Sequence, residues 1–364
     1  MRETIKNDMM DLMLIPGLSG HEDRVRRALK KRLSELDIEC TSDRLGNLHT
    51  HFPGEGPRVM LFTHMDQLGF VIRKIEADGL LRLERVGGVP ERALAAQSVL
   101  ICVAEGQDVP GIIANKSHHA TSAAEKYNVS PYAELYVDTG HGSAEAVEAA
   151  GIRIGQAVVY APHAMELAGN KICGTSIDDR AGCAVLLALA HSLKNRTSGP
   201  PVDLAFTVLE EFNLRGAQPL AQQLQPDIAI QIDLMLASDT PDMTSRGDMV
   251  LGGGPGMSLY SFHGRGTLNG VIPHPAMVSL FETAAKEQKI TLQRSAQSGV
   301  LTDLSYVQLT GKGVASIDVG FPMRASHSAR EVCDLNDLVQ LAELLTAAIA
   351  KIDTNFSLDR DDYT

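Results

Sequence analysis

The sequence predicts an α/β fold: a mixed, mainly parallel sheet sandwiched by helices, with a small β-rich domain inserted into it. Three observations predict it. The continuous apolar runs Val59–Thr63, Val202–Val208 and Ile228–Leu236 have the texture of strands buried on both faces. Helix-length segments alternate with them, which implies a largely parallel sheet layered by helices. From Gly69 to Tyr160 that alternation stops, and short β-like runs are separated by Gly and Pro turns.

In chain order, residues 3–14 read as a helix. Ser19 and Glu22 fit a capping box, S-x-x-E, for a second helix. Val25, Leu29 and Leu33 recur in it at i, i+4 and i+8, marking one buried face. Gly46-Asn47 and residues 53–57 are turns around a strand at Leu48–Phe52. The inserted segment carries β-like runs at Phe70–Ile75, Leu80–Val86, Ser98–Val103, Gly111–Ile113, Ala133–Val137 and Ala157–Tyr160, with helical texture around Ala144–Ala150. Helices are then expected at Ile177–Lys194, Met277–Glu287 and Leu335–Ile352, and a strand at Val314–Val319.

The 33 Lys and Arg against 45 Asp and Glu leave a net charge of −12. That argues against a nucleic-acid binder, which needs clustered cations, and against docking on anionic lipid. Five cysteines are scattered without a CxxC pair, as for free thiols in a reducing compartment. The charged, amphipathic N-terminus lacks the apolar core of a secretory signal. The longest apolar stretch, around Ala181–Ala190, is too short to span a bilayer. A soluble, cytoplasmic protein is expected. Trp is absent, so a sugar-stacking glucanase site is disfavoured.

Carboxylates and imidazoles recur where such folds place their sites. Val59–Thr63 runs into His64-Met65-Asp66. Positions i and i+2 share a face in extended chain, so His64 and Asp66 can point into one cleft at a strand end. Imidazole is a common metal ligand, and a nearby carboxylate can hold its orientation. Asp178-Asp179-Arg180 open a helix, where carboxylates suit the positive N-terminal dipole. One such carboxylate, having two oxygens, can also join two cations. Val202–Val208 leads into Glu210-Glu211, whose mutual repulsion a cation would relieve, one Glu serving as ligand and the other as base. Asp233 is a lone carboxylate in an apolar strand and needs a partner. His327, soon after Val314–Val319, supplies a second imidazole.

Each piece alone has a plainer reading. Asp178-Asp179 can cap a helix, Glu210-Glu211 can be a solvated strand end, Asp233 can pair with Arg180, and His64 and His327 can be structural. Their recurrence at strand ends and a helix start is what points to a metal centre.

The ordered motifs resemble those of the M42 metallo-aminopeptidases, which include glutamyl, deblocking and tetrahedral aminopeptidases, some labelled endoglucanases. The matching segments are His64-Met65-Asp66 with Gly69, Asp178-Asp179-Arg180-Ala181-Gly182, Glu210-Glu211 with Leu214-Arg215-Gly216-Ala217, Asp233 with Asp239-Thr240-Pro241, and Arg324 with His327-Ser328. Gln67, Phe212-Asn213 and Ala325-Ser326 depart from the family pattern without removing a ligand. The resemblance implies a zinc-peptidase-like catalytic domain of residues 1–69 plus 165–364, and an inserted dimerisation domain of residues 70–164. It implies two divalent cations: His64 and Asp233 on one, Glu211 and His327 on the other, Asp178 bridging. Zn²⁺ suits that donor set best, with Co²⁺ or Mn²⁺ as alternatives. Glu210 would be the general base and Asp66 would orient His64. The implied activity is aminopeptidase action on short peptides by a dimer-based homo-oligomer, up to a dodecamer. The alternatives are a two-metal deacylase of N-acylated or non-peptide substrates, and a binding protein that keeps the fold without the chemistry.

Four other features are read conservatively. His118-His119 is a loop of the inserted domain, because adjacent side chains diverge. Residues 252–256, Gly-Gly-Gly-Pro-Gly, form a flexible loop lining the site. His263 and Arg265 lie on a surface strand, with contact to substrate as the other option. Cys183 is a core residue.

Overall fold

The computed structural model describes residues 1–264 and 268–363; Arg265 lies outside them. The chain opens with α1 (Arg2–Met13), α2 (Asp23–Glu35), β1 (Thr41–Ser42), β2 (Leu48–Phe52) and β3 (Val59–His64). It continues through β4 (Gly69–Ile75), β5 (Leu81–Val86), β6 (Ser98–Ile101), β7 (Val109–Ile113), β8 (Val137–Asp138), α3 (Ala144–Ala149) and β9 (Ala157–Tyr160). Next come β10 (Ala164–Glu166), β11 (Lys171–Gly174), α4 (Ile177–Lys194), β12 (Val202–Thr207), α5 (Ala217–Leu224) and β13 (Ile228–Leu236). It ends with β14 (Gly256–Phe262), β15 (Gly270–Val271), α6 (Pro275–Gln288), β16 (Gln293–Ser298), α7 (Leu304–Val307), β17 (Ala315–Arg324), β18 (Glu331–Asp334) and α8 (Leu335–Ile349).

Among the described residues the fold is mixed α/β, with a twelve-stranded sheet in the order β1-β2-β12-β3-β13-β17-β18-β11-β10 and β14 to β16 branching from β17. The four central strands β12, β3, β13 and β17 are parallel, and the flanks add antiparallel pairs. Burial on both faces explains the unbroken apolar strands. Val59 and Leu61 of β3 join the core under α1, α2, α4, α6 and α8. Met60 and Phe62, pointing the other way, join the core under α5 and α7.

Strands β4 to β9 form a closed barrel in the order β4-β5-β8-β7-β6-β9. Its interior holds Phe70, Ile72, Leu81, Leu83, Val99, Ile101 and Val158. Phe70 and Tyr160 meet edge to face at 6.3 Å between ring centroids.

Local expectations differ from the structure in three places. The capping box does not form: α2 begins after Glu22, and no side chain caps it. The Glu22 carboxylate is drawn away by the backbone N–H groups of Gly20 and Leu209, at 2.7 and 3.1 Å. Ala133–Val137 is mostly a short 3₁₀ turn, Tyr132–Glu134, before the two-residue β8. β6 ends at Ile101, because Val103 N–H turns to the Asp108 carboxylate at 3.0 Å.

Candidate metal centre

The parallel strands deliver the polar groups to one edge. His64 is the last residue of β3 and pairs in register with Thr207, the last of β12; Glu210 and Glu211 follow just beyond. Asp233 lies in β13, opposite Gly320 of β17, and His327 follows the end of β17. Asp178 stands at the start of α4, and its peptide bond to Asp179 is cis. All these segments sit at the carboxyl ends of the parallel strands, where open α/β sheets hold their ligands.

Two groups of metal-binding atoms result. His64, Asp178 and Asp233 offer ligand atoms within 4.8 Å of one another, and so do Asp178, Glu211 and His327. Asp178 belongs to both. Its Oδ1 lies 3.0 Å from His64 Nε2, and its Oδ2 lies 3.4 Å from His327 Nε2. His327 Nε2 is 3.8 Å from Glu211 Oε1. The two oxygens of one carboxylate therefore face two separate ligand sets. Glu210 belongs to neither and lines the adjoining cleft.

The neighbouring Asp pair divides two tasks. Asp179 accepts the Thr63 hydroxyl and, at 2.9 Å, the N–H of Gly182, so it caps the helix. Asp178 is left free to face the imidazoles. Arg180 is fully buried but does not pair with Asp233; its Nη2 donates to Ile15 O and Gln67 Oε1 at 3.3 and 3.2 Å. Asp233 instead accepts Gln231 Nε2 at 3.1 Å and its neighbour's N–H, from Leu234, at 2.7 Å.

Two further carboxylates hold the backbone that carries the candidate ligands. Asp66 accepts the N–H groups of Glu210 and Glu211 at 3.1 and 3.0 Å. Its contact with His64 Nδ1 comes first from the main-chain oxygen, at 3.2 Å, with carboxylate Oδ1 at 3.6 Å. Glu331, which sequence reasoning missed, accepts the N–H of His327 at 2.7 Å and of Asp178 at 3.2 Å. Its only sequence signal is a Glu at the head of the short run Glu331-Val332-Cys333. The barrel reaches the site too: His327 Nδ1 donates to Gly88 O at 2.8 Å. Gly87, at φ 87°, permits this approach, since a Cβ there would lie 2.8 Å from Leu68 Cβ and 3.1 Å from Glu211 Oε2.

Ser176, Leu209, Ala325 and His327 all have positive φ, between 55° and 65°. Non-glycine residues held there cost roughly 1–3 kcal/mol each. Each of the four lies in a segment that presents Asp178, Glu210, Glu211 or His327.

Electrostatics match a cation site. Burial opposes ionisation of Asp178, but His327 and His64 outweigh it and hold its carboxyl below the usual range. Burial raises Glu210 well above its ordinary value; His64 opposes, and Asp233, Glu211 and Asp303 add to the rise. Burial likewise pushes Glu211 up to about 7, with His327 opposing and Asp178 adding. Asp233 is raised by burial and by Asp178. His64 is buried and His327 about one third exposed; desolvation disfavours their charge, yet the surrounding carboxylates raise both well above the usual histidine range. No Lys or Arg forms an ion pair with Asp178, Glu210, Glu211 or Asp233 among the described residues. A concentration of buried carboxylates balanced by two imidazoles alone is a donor set fitted to divalent cations.

A cleft of about 880 Å³ opens over these groups, bordered by Arg85, Phe212, Val300 and Leu301. His263, the residue after β14, lines it as well. The glycine loop does not: Gly252 and Gly254 give their N–H groups to Asp337, both at 2.8 Å, and neither borders the cleft. The Asp337 carboxylate holds that loop at a distance from the site. His118 and His119 are exposed on a short 3₁₀ turn. Cys183 is buried, donates to His64 O at 3.3 Å, and burial pushes its thiol up to about 12.

Comparison with known proteins gives the same direction. A family model described as M42 glutamyl aminopeptidase matches residues 46–344. The chain is 33% identical to a protein named putative aminopeptidase SgcX from Escherichia coli K12, covering 99% of this chain and 97% of that one. Among solved structures, aminopeptidase APDkam598 from Desulfurococcus kamchatkensis superposes with a TM-score of 0.90 at 31% identity, covering 100% of this chain and 98% of that one. The TET1 peptidase of Pyrococcus horikoshii, described as assembling into a tetrahedron or a large octahedral shell, superposes at 0.85 with 27% identity, covering 95% and 99%.

Proposed function

Because this chain belongs to the M42 glutamyl aminopeptidase family and is an aminopeptidase, we propose that it removes single residues from the free N-termini of short peptides at a dinuclear metal centre. His64 and Asp233 would hold one cation, Glu211 and His327 the other, and Asp178 would serve both. The observation that carries this reading is the pair of ligand sets sharing Asp178, one on each of its oxygens.

Divalent cations held by these residues, Zn²⁺ first by its preference for imidazole and carboxylate donors and Co²⁺ or Mn²⁺ after it, would supply polarisation of the scissile carbonyl and a more acidic attacking water. Glu210, outside both ligand sets and on the cleft wall, takes the proton from that water and returns it to the departing amine. Asp66 fixes the Glu210 backbone and so the direction from which this base works. The acidic lining favours a free α-amine over an acylated one. A cleft of about 880 Å³ suits a peptide of a few residues.

No helix among the described residues is long and apolar enough to cross a membrane, and five free cysteines accord with a reducing cytoplasm. The assembly of the related TET1 peptidase, and the exposed Ile112, Tyr127 and Val129 on the inserted domain, support a homo-oligomer that pairs through residues 70–164.

The test is metal analysis of the purified protein, then a panel of aminoacyl chromogenic amides with and without chelator, beside an N-acetylated peptide. The expected result is stoichiometric metal, activity lost to chelator and restored by divalent cation, and resistance of the acetylated peptide. Equal cleavage of the acetylated peptide would replace the aminopeptidase reading with the deacylase one.

A further inference from the structure

Resting on the aminopeptidase reading above, we propose that Asp318 is the floor of a side-chain pocket selective for N-terminal lysine. Behind the cleft lies a second, smaller cavity of about 20 Å³. Asp233, Leu234, Leu236 and Val300 border both spaces, so the small one adjoins the large one across these four side chains. Its inner wall carries Asp318, Ser261 and Thr302.

Asp318 is 1% exposed. One of its oxygens accepts the Thr302 hydroxyl at 2.8 Å. The other, Oδ2, has no hydrogen-bond partner among the described residues, and neither has the Ser261 hydroxyl. An unpartnered buried acceptor is costly, and here it borders a cavity that shares four lining residues with the cleft. The donor it lacks is supplied by whatever enters.

Size and distance decide what enters. Gly320 is the register partner of Asp233, and Asp318 stands two residues before it on β17. At roughly 3.3 Å per residue this sets Asp318 about 7 Å deeper than the ligand level. A flexible four-carbon stem ending in a compact ammonium covers that span. The stem lies against Leu234, Leu236 and Val300. The cavity is about large enough for one water molecule, which an ammonium matches in size. A guanidinium is planar and broader and does not fit. Lysine is therefore selected over arginine as well as over apolar and acidic residues.

The experiment measures kcat/KM for Lys, Arg, Leu and Glu chromogenic amides on the metal-loaded protein and on Asp318→Asn. In parallel, calorimetry compares L-lysine with L-norleucine, which has a similar stem and no ammonium. The expected outcome is a preference for Lys over Arg and Leu of about tenfold or more. Asp318→Asn should lower the Lys value at least tenfold and leave Leu within about twofold. Lysine should bind the unaltered protein more tightly than norleucine, and Asp318→Asn should erase the difference. Ser261→Val, which fills the tip and keeps the carboxylate, should reproduce the selective loss if Asp318→Asn fails to fold. Hydrolysis of Leu amide with no preference for Lys would overturn the pocket while leaving the aminopeptidase intact. Equal losses on Lys and Leu, or equal binding of lysine and norleucine, would overturn it too. The binding arm decides the question even if no amide is turned over, the outcome that would count against the aminopeptidase reading itself.

Discussion

Asp66 and Glu211 are bound side chain to main chain: Oδ2 of Asp66 accepts the Glu211 N–H at 3.0 Å, while Oδ1 accepts that of Glu210 at 3.1 Å. One fully buried carboxylate thus sets the position of both glutamates after β12. Its residue also touches His64 Nδ1 through the main-chain oxygen. Asp66 couples the β3 and β12 ends of the site.

Asp66→Asn keeps the shape but turns one acceptor into a donor, so one of the two N–H groups loses its partner. Supporting groups around metal ligands are commonly worth about 10–100-fold in affinity or activity. A loss of that size in kcat/KM is expected, with weaker metal retention in a chelator competition. Unchanged turnover and metal content would remove Asp66 from the working site.

Glu331 makes the corresponding bridge between Asp178 and His327. Glu331→Gln breaks one of its two bonds and Glu331→Ala breaks both. An unsatisfied buried N–H costs about 1–3 kcal/mol. Metal affinity should therefore fall in the order wild type, Gln, Ala, with KM changing less than kcat. An Ala variant as tight as wild type would show that the bridge carries no weight.

Glu210→Gln should retain both cations, because Glu210 lies outside the ligand sets. Turnover should fall by roughly 10²–10⁴, the usual contribution of a general base. Full activity in a metal-replete Gln variant would exclude the base assignment.

Asp337 supplies a pH test remote from the metal site. Burial raises its pKa from 3.8 to about 6, against the pull of the Gly252 and Gly254 N–H groups. A raised folded-state pKa means that its contribution to stability is full below 3.8 and is lost as pH climbs through about 6. Melting temperatures of wild type and Asp337→Asn, compared across that interval, should show the wild type losing ground as pH rises and a constant gap above it. A gap independent of pH would contradict the shift.

The sequence by itself determined most of the elements and the candidate metal ligands. Apolar runs marked β3 and β13, helical spacing marked α2, a long apolar stretch marked α4, and the polar residues at the strand ends and at the start of α4 were legible as candidate ligands, because each signal is confined to neighbouring positions. Tertiary structure alone decided how those residues divide their work. Asp178 and Asp179 are adjacent and alike in sequence, yet one turns to the imidazoles and the other to Thr63 and Gly182. Glu331 meets Asp178 across 153 positions of chain, Gly88 meets His327 across 239, and the β-rich insert closes into a barrel. Ser19 lost its expected capping partner because Glu22 found the distant Leu209 backbone. Such pairings follow from how layers pack, and a linear pattern carries no record of which surfaces will meet.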